Sequence, residues 1–203
     1  MITSEIEICN MALAHLGIEY INSFDEETKQ AKACKMFYDN VRKLLLTNLN
    51  ASFSIARANL VENLDYKPVY GYQKSYKLPF GCLQVLNLGD IVQDEYYQIE
   101  GDNFYCDKEI GNVEIRYIKD VKDVNKYDAK FVELFALTLA VEICMPLTRD
   151  MQMRNYFEQL RAKKYIECSA KYGRDNKVVV INKPQFRNAR FNAGIANSNY
   201  PII

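Results

Sequence analysis

A chain of 203 residues with 49% apolar and 26% charged side chains can bury a real core, as one large domain or a domain with an insertion. Its 26 basic and 26 acidic side chains cancel, which argues against general capture of nucleic acid. Continuous apolar runs stop short of the roughly 18 residues that a membrane span needs, and no leader pattern opens the chain. The expectation is a protein assembled in a cytoplasm, with no membrane partner.

Six cysteines (Cys9, Cys34, Cys82, Cys106, Cys144 and Cys168) lie far apart in sequence and His15 is the one histidine. Zinc sites need clustered soft ligands at short spacing, so these read as reduced cysteines serving as small buried hydrophobes. Charge is unevenly spread. Residues 171–203 carry six bases against Asp175, and residues 90–109 carry seven acids against Lys108. Opposite patches on a neutral chain suit self-association.

Ser4 and Glu7 form a capping box before Ile6, Cys9, Leu13 and Leu16 at helical spacing, with Gly17 as the stop. A second box, Ser23 with Glu26, predicts a longer helix with Ala31, Cys34, Phe37, Tyr38, Val41, Leu44 and Leu45 inward. Residues 52–64 read as a transition. From residue 65 to 127, β-branched and aromatic residues broken by Gly89-Asp90, Gly101-Asp102 and Gly111-Asn112 predict short antiparallel strands. Val113, Ile115 and Tyr117 alternate with Glu114 and Arg116. Asp128 then caps a third helix with Phe131, Leu134, Phe135, Thr138, Val141 and Met145 on one face, ended by Pro146. Thr148 is expected to cap a fourth, with Met151, Tyr156, Leu160, Tyr165 and Cys168 as its apolar positions, finishing near Gly173.

The predicted fold class is α+β: a four-helix body over residues 1–64 and 128–173, a small antiparallel β insertion over 65–127, and an extended C-terminal arm over 174–203. No internal repeat is visible.

Catalytic patterns are missing. His15 has no nucleophile at a recognisable spacing and reads as a helix-terminal or surface histidine. No phosphate loop or dinucleotide glycine triplet occurs. Carboxylate pairs such as Asp94 with Glu95, or Glu133 with Glu142, are expected on solvated faces. The chain is therefore expected to be no enzyme and to need no cofactor or metal.

Several segments carry a family resemblance. "EIEICNMALAHLG" (5–17), "SFDEET" (23–28), "YDNVRKLLL" (38–46), "FSIARANL" (53–60), "YKLPFGCLQV" (76–85) and "FVELFALTLAVEICMPLT" (131–148) resemble, in order, motifs of the tail tubular protein A family. These are the head-to-tail adaptors of short-tailed bacteriophages. The chain is also similar to ring proteins of crAss-like phages. It departs from the adaptor pattern at Gly81, usually Asp, and Gln84, usually Arg. In the fifth segment Pro79 sets φ and Gly81 closes a turn, so the apolar residues on either side enter the core from different directions.

The resemblance implies a structural virion protein at the head–tail junction, assembled in the host bacterial cytoplasm. Such adaptors form a twelve-fold ring under the portal, extend the DNA channel without sequence-specific contacts, and hold the next tail component, a nozzle or hub. Two readings of the acidic patch (Asp94, Glu95, Glu100 and Asp102) stand side by side, a channel lining and an outer rim. The basic arm, with anchors Val178, Val179, Val180, Ile181, Phe186, Phe191 and Tyr200 beside Arg187 and Arg190, is expected to dock on the portal or an adjacent subunit. The alternatives are a virion peptidoglycan hydrolase using a carboxylate pair in the β region and a tail-region DNA-binding module using the basic arm.

Overall fold

The computed structural model describes residues 4–64, 66, 68, 70–88, 97–106 and 113–176. It is an α+β protein with helices α1 (Glu5–His15), α2 (Lys29–Leu49), α3 (Ala129–Thr148) and α4 (Met151–Asp175). Its strands are β1 (Ile55–Leu60), β2 (Lys74–Lys77), β3 (Cys82–Leu88), β4 (Tyr97–Glu100), β5 (Asn103–Cys106) and β6 (Val113–Lys119).

Local chemistry sets several helix ends. Ser4 Oγ accepts from the Glu7 N–H to open α1. At its end Gly17 takes φ +66°, and the N–H groups of Gly17 and Ile18 donate to Ala14 and Leu13, a left-handed stop that satisfies two helix-end carbonyls. The Ser23–Glu26 box closes a turn rather than opening a helix. Glu26 accepts from the N–H groups of Asn22 and Ser23, and Thr28 is the N-cap of α2. Similarly, Thr148 belongs to the last turn of α3 and Asp150 caps α4. Pro146 lies inside α3 rather than ending it. Its missing N–H affects only the bond to exposed Glu142, four residues back, where water can solvate the freed carbonyl.

α3 is the axis of the helical part and packs against α1, α2 and α4. Twelve of its residues are buried, from Phe131 to Cys144, so it is apolar on nearly all sides. By length and composition it passes the threshold for a membrane span, at a mean hydropathy of 1.8, which the reading of continuous runs missed. Here 67% of that window is buried inside the protein, the environment that an all-round apolar helix requires. On α2, Leu44 is 50% exposed, because a run of three leucines cannot all face one side and Leu45 and Leu46 take the core. On α4 Cys168 is buried and Leu160 and Tyr165 pack against the core as expected, joined by Phe157 and Tyr172, while Met151 and Tyr156 face out, contrary to the expected stripe.

The β part begins earlier than residue 65. A 3-10 turn at Ser52–Ser54 leads into β1, which pairs with β6 from Ile55↔Ile118 to Leu60↔Val113. Two antiparallel three-stranded sheets result, ordered β1-β6-β3 and β2-β5-β4. In the first, Val113, Ile115 and Tyr117 turn to a small core shared with Tyr76, Phe104 and Cys106 of the second. Ile118 joins the main helical core. Helices, first sheet and second sheet are thus successive layers. Gly101-Asp102 makes the two-residue β4–β5 hairpin turn, with Gly101 at φ +56°. Gly89-Asp90 and Gly111-Asn112 lie outside the described residues.

Candidate functional site

The turn at residues 78–82 carries the chain from the second sheet to the first. β2 ends at Lys77, the Cys82 N–H donates to Pro79 O at 3.0 Å, and Gly81 sits at φ +74°. That places Pro79 first in the turn and Gly81 third, the position that demands positive φ. Phe80 stands fully exposed at its tip. Leu78 N–H is tied to Asp102 O at 2.8 Å, and Gly81 O accepts from Asp120 N–H at 2.7 Å. The apolar run is interrupted because its halves belong to different sheets.

Asp120 links this turn to α2. Arg42 is completely buried, with Nη2 at 3.3 Å from Asp120 Oδ1 and 3.1 Å from Asp39 Oδ1. Arg42 Nε and Nη1 and the Tyr38 hydroxyl have no hydrogen-bond partner among the described residues. Burial pushes the Tyr38 hydroxyl well above its usual pKa and Tyr127 up to about 12, so both remain protonated. The sequence reading missed Arg42. It follows exposed Asp39 at helical spacing, so it looked like the polar face; its one signal is the step of four from Tyr38. Asn10 is a further joint: its amide donates to Ile21 O and accepts from Ile21 N–H, both at 2.9 Å, clamping the chain after α1.

Asp128 ties the two ends of the α3–α4 pair. Its Oδ1 accepts from the N–H groups of Lys130 and Phe131, and its Oδ2 meets the Tyr172 hydroxyl at 2.5 Å and Lys171 Nζ at 2.7 Å. Burial alone would raise its pKa, but Lys171, Tyr172 and the Phe131 N–H outweigh it and the carboxyl is held low.

None of these clusters has the form of an acid–base or nucleophilic site. Glu133 and Glu142 lie nine residues apart on α3, about 13 Å along the axis, beyond the ~5–9.5 Å of glycosidase pairs. Glu133 is paired with Lys164 at 3.0 Å. His15 is the exposed last residue of α1, its ring against Phe157 at 5.7 Å. Five cysteines are buried and Cys82 is half-buried.

The described structure also contains a cavity of about 220 Å³ on the second sheet, bounded by Tyr66, Tyr70, Tyr72 and Tyr105 with Gln98 and Glu100. Gln98 and Tyr105 are cross-strand partners, and the segment around Tyr66 is held over them because Ser75 Oγ donates to Tyr66 O at 2.6 Å. Strand alternation marks Gln98, Glu100 and Tyr105 as one face, but no local pattern shows that Tyr66, Tyr70 and Tyr72 return to it.

Of the acidic patch, Glu100 ends β4 and Asp102 lies in the β4–β5 turn, while Asp94 and Glu95 lie outside the described residues. So do the arm residues Val178, Val179, Val180, Ile181, Phe186, Arg187, Arg190, Phe191 and Tyr200. The expected arm boundary moves, because α4 continues through Arg174 and Asp175 and is closed by Asn176, whose Nδ2 donates to Asn50 O at 2.6 Å. No family model and no curated protein matches the chain.

Proposed function

We propose that this chain is a structural virion protein, the head-to-tail connector that forms a ring under the phage portal, extends the DNA channel and holds the next tail protein. The observation that carries this reading is where the adaptor-like segments lie. "EIEICNMALAHLG" is α1 with its stop and the Asn10 clamp. "YDNVRKLLL" brings Arg42, "YKLPFGCLQV" is the sheet-to-sheet turn, and both meet at Asp120. The last segment is the central helix α3. The motifs thus serve the frame of the molecule, as expected of a protein whose role is to hold neighbours in place. Exposed Phe80, Tyr70, Val61 and Leu64 leave apolar surface on the β part, which suits assembly.

In this reading the protein works without cofactor or catalysis. Its partners are copies of itself in a ring, twelve by resemblance, together with the portal and a nozzle or hub protein. DNA passes through without sequence-specific contact. The test is electron microscopy of the purified chain mixed with portal. Rings on the portal are expected, and dispersed monomers beside bare portals would overturn the reading. Clearing of a cell-wall suspension would favour the hydrolase instead.

A further inference from the structure

The tyrosine pocket has the chemistry of a cation seat. Tyr72 and Tyr105 are stacked with centroids 6.3 Å apart and 24° between planes, and Tyr66 meets Tyr105 at 6.5 Å. Tyr70 and Tyr66 remain 88% and 45% exposed. Aromatic faces are electron-rich, and among the described residues the one charged side chain lining the cavity is the carboxylate of Glu100. A guanidinium suits such a site better than an ammonium, since its plane stacks on a ring while its edge meets the carboxylate.

The chain carries a matching ligand. Residues 177–203 contain Lys177, Lys183, Arg187 and Arg190 and no acid, and Phe186 and Phe191 flank the two arginines. The described fold ends at Asn176, and the remaining residues, fully extended, reach up to roughly 90 Å. We infer that the tyrosine pocket receives Arg187 or Arg190 from the C-terminal segment of a second copy. An arm on one copy and a pocket on the next make a head-to-tail contact, which closes into a ring when the rotation allows. The inference rests on the connector reading and names the contact between its subunits.

The experiment mixes full-length chains grown on light and heavy nitrogen, joins amines through a flexible bis-succinimidyl ester spacer, and maps the cross-links by mass spectrometry. Mixed-isotope cross-links between Lys77, exposed on the strand beside the pocket, and Lys177 or Lys183 are expected. With Arg187→Ala and Arg190→Ala together, outside the described fold, their yield should fall about tenfold, the scale of one cation–π contact. Tyr70→Ala, at a side chain that is 88% exposed, should lower the yield as well without lowering the melting temperature. Single-isotope cross-links alone would place the arm on its own chain and overturn the inference. Unchanged yield in the double variant, or no such cross-links at all, would also overturn it. A chitooligosaccharide that raises the melting temperature while cross-links are absent would assign the pocket to a sugar. Rings on portals without mixed-isotope cross-links would sink this contact alone. Cross-links without rings would sink the connector reading and leave the contact standing.

Discussion

Arg42 and Asp120 lie 78 residues apart in sequence, yet their pairing joins a helix to the strand end that supports the sheet-to-sheet turn. Arg42 is fully buried, and its other partner, Asp39, has a side chain 65% exposed, so Asp120 supplies the better-shielded charge. Removing one member of a buried pair leaves the other charge uncompensated. Asp120→Asn should therefore destabilise the fold by about 3 kcal/mol in urea unfolding. Arg42→Met combined with Asp120→Leu should recover most of that loss. Asp128 gives the pH dependence. Its carboxyl pKa is lower in the folded protein, so its contribution is present above the unfolded value and is lost as pH falls through the folded one. Asp128→Asn keeps a competent N-cap but removes the charge. The variant should be less stable at neutral pH and lose less stability below about pH 4 than the wild type, as followed by thermal unfolding across pH.

At the scale of elements, the turn between β2 and β3 is the joint on which the two-sheet arrangement depends. A Cβ at Gly81 would meet Asp120 Cβ at 3.7 Å, an ordinary contact, so the constraint is the φ of +74° rather than crowding. Gly81→Val should cost about 1–3 kcal/mol through backbone strain. Fully exposed Phe80 next to it gives the control, and Phe80→Ser should leave the melting temperature unchanged. An unshifted melting temperature in Gly81→Val would show that the turn tolerates a side chain there. The helix pair α3–α4 is held differently, by Asp128 at one end and Arg149 in the left-handed conformation at the other, with its N–H donating to Met145 O.

At the scale of the whole molecule, the described fold ends at Asn176, which is bonded to Asn50 O and closes α4 through its N–H to Tyr172 O. Deleting residues 177–203 should thus leave unfolding free energy within about 0.5 kcal/mol of the full chain. The same deletion should abolish joining to copies and to the portal, measured by sedimentation and by electron microscopy. Normal assembly of the truncated chain would end the docking-arm reading. The acidic hairpin faces its test in the proposed connector ring, where Glu100 and Asp102 lining the bore would let DNA slide by repelling phosphate. Their presence on the outside would make the patch a rim.

The α+β class, the starts of α1 and α3, the left-handed stop at Gly17 and the alternation of Val113, Ile115 and Tyr117 were legible from sequence. Each depends on residues within a few positions, where caps, φ preferences and pleat set the outcome. Competing local signals were not resolved that way. Ser23 and Thr28, or Thr148 and Asp150, are all competent caps, and packing against α3 determined which one begins a helix. Tertiary structure also decided that β1 joins β6, that Arg42 is buried, that α4 turns Phe157 and Tyr172 inward, and that Tyr66, Tyr70 and Tyr72 complete a tyrosine pocket. In each case the deciding partner is distant in the chain, and burial belongs to the assembled layers rather than to any one segment.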